Sequence, residues 1–339
     1  MNSLFLIVLL CTYFCCKKEE LKSEVILKEE VLQPHVQLEG KPTYIDSTSL
    51  ISFHNKVLTD FYKSTNYRTV WQSKEKREVI LDKLFKSDQE GLNPEDYNIG
   101  KLFDFEKKAT ILDSLDLAKY DLLLTSSLQK YISHLTNGRL NPLKLYKNWD
   151  LKENEIDINA TVVQLLQSDS LAYKIEQLKP NHIVYKKLKK ALQLINTFPK
   201  DNFKPIKFTK TILANDSSPS VIDIKKRLIY WKELQPKDSL TPVYDEETAI
   251  ALKKFQSRHG LAVDAKIGPG TIASLNFSKN QRTQQILVNL ERWKWYPKQM
   301  GKEYIIINIP DYKLTLVNHY DTLRTHKVIV GRAKRKHQY

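Results

Sequence analysis

Cysteine is nearly absent from this chain of 339 residues and is confined to one end of it. The three cysteines are Cys11, Cys15 and Cys16. A disulfide, or a zinc site built from thiolates, needs cysteines in the folded body of a protein, so residues 17–339 can form neither. The same residues contain no thiol that could act as a catalytic nucleophile.

Glycine is also scarce, with nine residues dispersed along the chain. Gly260, Gly268 and Gly270 come nearest to a phosphate-binding loop, but the lysine and the strand-to-helix setting of such a loop are missing. The eight histidines are scattered. His319 and His326, for example, are predicted to be surface or hairpin residues without a cysteine, serine or carboxylate at ligand spacing. The sequence therefore predicts no catalytic residue, no metal site and no cofactor.

A long apolar run is missing everywhere, and the only candidate lies at the start of the chain. Residues 4–13 are dominated by Leu, Ile, Val and Phe, whereas a helix that spans a bilayer needs about 20 apolar residues. A short run followed by charged residues is typical of a signal peptide. Cys15-Cys16 at its end resembles the lipobox of bacterial lipoproteins, although Phe14 replaces the usual small residue. The resemblance implies that Cys16 carries a lipid.

These features predict an exported protein of the cell envelope, held at the membrane as a periplasmic lipoprotein. A lipoprotein exposed on the cell surface is the alternative to a periplasmic one. Two or more acyl chains would hold the protein firmly, since one chain alone binds a membrane only marginally. Plain secretion and an uncleaved apolar anchor are the alternatives.

Positive charge exceeds negative charge, with 54 Lys and Arg against 39 Asp and Glu and a net charge of +15. Such a surplus attracts polyanions without choosing among nucleic acid, lipid headgroups and an anionic cell wall. The lysines are spread out, and even the group at residues 186–190 is interpreted as a solvated helix face. Trp293 and Trp295, with Arg292 and Lys294, are interpreted as part of a domain-linking helix that buries its aromatic rings. We predict no nucleic-acid partner.

The composition, 41% hydrophobic and 27% charged, is that of a globular protein, and the length predicts two or three domains. Residues 17–50 show no sustained period and are predicted to form a flexible tether. From residue 51 onward, apolar side chains recur at helical spacings. The longest predicted helix covers residues 120–135 and ends at Asn137-Gly138, a common C-terminal signal.

Residues 220–276, within the predicted domain at residues 216–277, have the most specific pattern in the chain. It predicts three short helices, with Asp245 at a helix start, Leu252 and Phe255 in the core and Gly260 at a chain reversal. The pattern resembles the peptidoglycan-binding domain attached to many bacterial wall enzymes, over essentially the whole length of that domain. The resemblance implies peptidoglycan as the partner.

Three polar residues of this segment, Asp245, Gln256 and Asp264, are candidates for contact with the glycan. Most residues of such a motif build the fold, so roles as helix caps and turn formers are the favoured alternative. Ala265 departs from the family, which commonly has glycine there in a Val-Asp-Gly turn.

Further blocks on both sides resemble the large L,D-transpeptidases. Three of them match the helical scaffold domain of these enzymes, at residues 61–71, 88–97 and 123–142. Three more are similar to their linker helix and to the opening strands of their catalytic domain, at residues 288–297, 304–310 and 328–332. The blocks occur in the order of the family, and the resemblance spans residues 51–332.

L,D-transpeptidases make 3-3 cross-links in peptidoglycan. A cysteine thiolate attacks a stem peptide, releases D-alanine and passes the acyl group to a second stem. The family carries this cysteine in a Ser-His-Gly-Cys-type segment, which this sequence does not contain. We therefore expect a truncated L,D-transpeptidase-like cell-wall protein that is inactive in cross-linking and retains peptidoglycan binding. The alternative is a non-enzymatic peptidoglycan-binding lipoprotein or scaffold.

The predicted fold is multidomain and mainly α, and it ends in an incomplete β-rich part of a catalytic domain. The predicted divisions are a signal peptide (1–16), a tether (17–50), the helical scaffold domain (51–215), the peptidoglycan-binding domain (216–277), a linker helix (278–301) and the start of the catalytic domain (302–339).

Overall fold

The computed structural model of the chain describes residues 42–109, 112–147, 149–298, 300–319 and 321–329. These ranges contain thirteen α-helices and one three-stranded antiparallel sheet, so the predicted mainly α, multidomain class is confirmed. The predicted signal peptide with Cys16, and residues 17–41 of the predicted tether, lie outside the described residues. Within the described ranges, no helix combines the length and the apolar character needed to cross a membrane.

The first nine helices make up most of the scaffold. In chain order, α1 to α9 are Ser47–Ile51, Lys56–Ser64, Lys74–Phe85, Ile99–Glu106, Ser114–Asn137, Pro142–Leu145, Ile158–Leu166, Leu171–Glu176 and Ile183–Asn196. One apolar core joins α1 to α5, α7 and α8. The long helix α5 contributes many of its buried side chains, among them Leu124, Leu128 and Ile132.

Helix α5 begins six residues before the predicted start at Tyr120. The side chain of Asp113 accepts a hydrogen bond from the backbone N–H of Asp116 at 2.8 Å and caps the helix. Its first turn is largely exposed, so the hydrophobic pattern that predicts the helix is weak there. The end at Asn137 agrees with the prediction, and Gly138 follows with φ of 78°.

A buried carboxylate ties α5 to α2 and to the chain between α2 and α3. Asp121 accepts hydrogen bonds from the Tyr62 hydroxyl at 2.5 Å and from the backbone N–H groups of Val70 and Trp71 at 2.8 Å each. Burial raises the pKa of Asp121 to about 6, although these three donors act in the opposite direction. One side chain thus satisfies three buried donors from two separate segments.

Residues 42–50 belong to the scaffold, although the predicted tether extends to residue 50. Ile45 and Leu50 are buried in the core, and the backbone N–H of Ile45 bonds the carbonyl of Tyr67 at 2.8 Å. An isolated β-bridge between Tyr44 and Arg68 adds a second backbone link. A few apolar residues joined by long-range backbone bonds produce no periodic pattern, which is why the sequence predicts a tether over these residues although the structure packs them against the scaffold.

The second domain contains three helices, Pro219–Tyr230 (α10), Glu246–Arg258 (α11) and Pro269–Leu275 (α12). Its core is a separate apolar cluster, in which Leu252 and Phe255 are fully buried. Asn276 closes the domain, because its side-chain amide exchanges two hydrogen bonds with the backbone of Ile206, at 2.8 and 2.9 Å.

The last helix, Lys279–Lys294 (α13), returns to the scaffold and packs along α9. At its start, the backbone N–H of Lys279 donates to Asp201 at 2.8 Å, and its ammonium group donates to the carbonyl oxygen of Phe198. The chain therefore leaves α9 and enters α13 at neighbouring points, with the three-helix domain between them.

At its other end, α13 is fixed to the scaffold by polar contacts. One carboxylate oxygen of Glu291 accepts the backbone N–H groups of Arg139 and Leu140, at 2.5 and 2.8 Å. A Cβ on Gly138 would lie 2.6 Å from the same oxygen, so a glycine is needed for this approach. The fully buried Lys294 donates to the carbonyl of Glu90 at 2.9 Å.

The sheet follows α13 and has the order β1-β2-β3, with strands Glu303–Asn308, Lys313–Asn318 and Asp321–Lys327. The register pairs Tyr304 with Val317, and the pairing of β2 with β3 is irregular after Leu316. His319 and His326 are exposed, at the hairpin and on β3, as predicted. The assignment of this sheet to a catalytic domain stays a prediction.

Candidate functional site

A turn of the three-helix domain, residues 261–268, is organised around the buried side chain of Gln256. Its amide oxygen accepts the backbone N–H groups of Asp264 and Ala265, at 3.2 and 3.0 Å. Its amide nitrogen donates to the Asp264 carboxylate at 3.0 Å and to the carbonyl of Lys266 at 3.1 Å. A primary amide has both donors and acceptors, which is why a glutamine can hold both sides of one turn.

Asp264 stabilises the same turn from its exposed side. Its carboxylate accepts the backbone N–H of Lys266 at 2.9 Å, and this bond, with the amide of Gln256, lowers the pKa of Asp264 below its ordinary value. Ala265, between Asp264 and Lys266 in the sequence, has a backbone φ of 56°, in the left-handed region. An alanine there costs about 1 kcal/mol relative to glycine. This strain explains why glycine is the common residue of such turns.

Asp245, the third candidate, lies elsewhere. It caps the start of α11, where its carboxylate accepts the backbone N–H of Thr248 at 2.9 Å and pairs with the buried ammonium of Lys225 at 2.6 Å. Burial acts to raise its pKa, but Lys225 and Thr248 outweigh burial and hold the value at about 2. Eleven residues of helix separate it from Gln256, about 16 Å along the axis. The structure therefore brings Gln256 and Asp264 together and leaves Asp245 apart.

Beside the turn lies a groove with a volume of about 310 Å³. The turn and the start of α12 form most of its walls, and Thr211 closes it from the segment after α9. A Cβ at Gly268 or Gly270 would meet no atom within 4 Å, so neighbouring atoms do not crowd the edge of the groove at these glycines. Its lining residues combine two threonines, Thr211 and Thr271, and the charged residues Asp264 and Lys266 with the apolar Leu261.

Thr211 and Lys266 are groove residues that the sequence analysis did not identify. Thr211 falls within the range predicted for the scaffold and reaches the groove because its neighbour Ile212 pairs with Ile267 by two backbone hydrogen bonds, at 3.1 and 3.3 Å. No local pattern indicates that pairing. Lys266 lies within the resembling motif, but a lysine in a turn is ordinarily a solvated residue.

Two family models match the chain. One is described as a scaffold domain and matches residues 56–192, and the other is described as a putative peptidoglycan-binding domain and matches residues 217–275. These two matches support the L,D-transpeptidases as the family that the sequence resembles. The groove lies in the matched peptidoglycan-binding domain, with Thr211 contributed from just before the matched range. The chain has no match among curated proteins.

The matches assign this protein a role associated with peptidoglycan, in the cell envelope. Where the structure describes the chain, no group of three His, Cys, Asp or Glu side chains is arranged to hold a metal ion.

His182 connects three parts of the structure. Its side chain caps α9, stacks on Trp293 with ring centroids 4.2 Å apart and lies 3.2 Å from the Tyr304 hydroxyl. It therefore links the scaffold, α13 and the sheet.

Proposed function

We propose that this protein attaches to peptidoglycan through the groove beside Gln256. The single observation that carries the proposal is the construction of the groove within the peptidoglycan-binding domain, by a turn whose backbone is held from below by one buried amide. A turn fixed in this way keeps its exposed polar groups in place before the ligand arrives, which lowers the entropy cost of binding. In this proposal Gln256 and Asp264 shape the site, while Thr211 and Lys266 face the ligand.

Lys266→Glu is expected to weaken binding to purified peptidoglycan sacculi at least tenfold. The substitution puts a second carboxylate near Asp264 and replaces the one lysine among the described residues that line the groove. The measurement is the apparent affinity of the full chain in a cosedimentation assay.

Lys253→Glu is the matched control, because Lys253 is exposed on α11, outside the groove, and its substitution changes the net charge equally. We expect this control to bind within twofold of the unaltered chain. An equal loss in both variants would assign the binding to overall charge and contradict a role of the groove.

We further propose that Cys16 is acylated and anchors the protein to a membrane in the periplasm or at the cell surface. The support is the apolar run of residues 4–13 that ends at a cysteine followed by charged residues. Cells grown with a clickable fatty acid should label the unaltered protein and leave Cys16→Ala unlabelled. Label of equal intensity on both proteins would contradict acylation of Cys16, and absence of label from both would favour plain secretion or an uncleaved anchor.

Cross-linking is not part of the activity that we propose for these 339 residues. Acyl transfer by the route of the family needs a thiolate, and the cysteines present are Cys11, Cys15 and Cys16. Binding groups alone hold a substrate without transferring it. Peptidoglycan attachment is therefore the function that the described residues support best, with a purely structural scaffold as the alternative.

A further inference from the structure

A cavity of about 400 Å³ lies on the scaffold, outside the peptidoglycan-binding domain. It is bordered by the loop between α8 and α9, by the first half of α9 and by Lys298 from the segment after α13. Four of its lining residues are lysines, Lys179, Lys186, Lys189 and Lys298. The function proposed above does not use this cavity.

Two carboxylates neutralise part of the positive charge at the cavity. Glu90 is buried beneath it and pairs with Lys179 at 2.7 Å and with Lys189. Burial acts to raise the pKa of Glu90, but the two ammonium groups outweigh burial and keep it below its ordinary value. Glu176 pairs with Lys179 at 2.7 Å and with Lys83 at 2.8 Å.

The remaining positive charge has no such partner. Lys186 and Lys298 form no ion pair with any described residue. The four lining lysines, with Lys83 paired to Glu176 from outside the lining, make five ammonium groups against the two carboxylates of Glu90 and Glu176, an excess of three positive charges in and beside the cavity. Like charges gathered at one place repel each other, and a bound anion relieves that repulsion.

The position of Lys298 is fixed by the backbone. Its N–H donates to the side-chain oxygen of Asn154 at 3.0 Å, which ties the segment after α13 to the scaffold. Desolvation lowers the pKa of Lys298, so its charged form is weakly hydrated. The buried residues Pro180 and Tyr185 form part of the wall, and a wall of low polarity strengthens the interaction of a charge inside the cavity.

We propose that this cavity binds an oxyanion with at least two negative charges. Phosphate groups and clustered carboxylates share this chemistry, and the cavity is large enough for either. Lys186 and Lys298 bind the anion directly, while Glu90 and Glu176 hold Lys179 and Lys189 at the wall. The proposal does not depend on the peptidoglycan groove, because it concerns a separate part of the protein.

Isothermal titration calorimetry of the full chain in detergent tests the proposal, at constant ionic strength set with sodium chloride. The titrants are inorganic pyrophosphate and tricarballylate, and at least one of them should bind saturably. Tighter binding of pyrophosphate assigns the site to phosphorylated ligands, and tighter binding of tricarballylate assigns it to carboxylates such as those of peptides. Either result supports an oxyanion site.

The double variant Lys186→Gln, Lys298→Gln should bind the preferred anion at least tenfold more weakly. The double variant Lys187→Gln, Lys190→Gln removes the same charge from exposed positions of α9 that do not line the cavity, and it should stay within twofold. Absence of saturable binding by both anions, or equal weakening in both double variants, overturns the proposal. Circular dichroism checks that each variant is folded.

Discussion

Phe255→Ala is expected to unfold the peptidoglycan-binding domain. The ring is fully buried, stacks on His259 with centroids 4.0 Å apart and lies 5.9 Å from the guanidinium of Arg282. Loss of a buried phenylalanine side chain costs about 3–5 kcal/mol. A single core in a domain of this size rarely supplies more than about 3–5 kcal/mol of net stability. The substitution therefore removes most of what keeps the domain folded.

Hydrogen exchange over residues 217–275 measures this effect without interference from the scaffold. Ile250→Ala is the matched control, since Ile250 lies on the same helix with half of its surface exposed, and we expect it to cost less than about 1 kcal/mol. Binding to sacculi should disappear with Phe255→Ala and persist with Ile250→Ala. Similar exchange in the two variants would contradict the placement of Phe255 in the core.

Asp121→Ala is expected to destabilise the scaffold by about 3 kcal/mol or more. The substitution leaves the backbone N–H groups of Val70 and Trp71 buried without their acceptor and removes one of the acceptors of the Tyr62 hydroxyl. Each unsatisfied buried donor costs about 1–3 kcal/mol. Thr125 can still accept from Tyr62, at 2.7 Å, so the loss falls mainly on the two backbone groups.

Urea unfolding followed by far-ultraviolet circular dichroism measures the change in the free energy of unfolding. Asp116→Ala serves as the control, because Asp116 lies on the same helix with an exposed side chain, and its loss should cost less than about 1 kcal/mol. Asp121→Asn keeps one acceptor oxygen and should fall between the two. Equal stability of Asp121→Ala and Asp116→Ala would show that the three donors find other partners.

The sequence predicted those parts of the fold that depend on local signals. Helix α11 begins after the capping residue Asp245, and the chain reverses at Gly260 with φ of 65°, as expected. The apolar positions Leu252 and Phe255 are in the core. Each of these features follows from a few neighbouring residues, because caps, turns and helical periods are local properties.

Features that join distant residues were not predictable in the same way. The lysines near residue 189 were interpreted as a solvated helix face, yet Lys189 pairs with the buried Glu90, which lies 99 residues earlier. Thr211 reaches the groove only through the pairing of Ile212 with Ile267. A charged or polar residue shows no local sign of the partner that buries it, so such contacts need the tertiary structure.

The neighbouring ends of α9 and α13 have a consequence for how this architecture arises. The two helices share an apolar cluster that includes Tyr185, Leu192 and Leu290, and this cluster does not involve the three-helix domain. A domain whose ends lie close together can be inserted into a host without disturbing it. In evolutionary terms, one insertion between two helices that already pack together is enough to add a wall-binding module. The same junction offers protein engineers an exchange point, where another carbohydrate-binding module can replace this one while α9 and α13 stay in place.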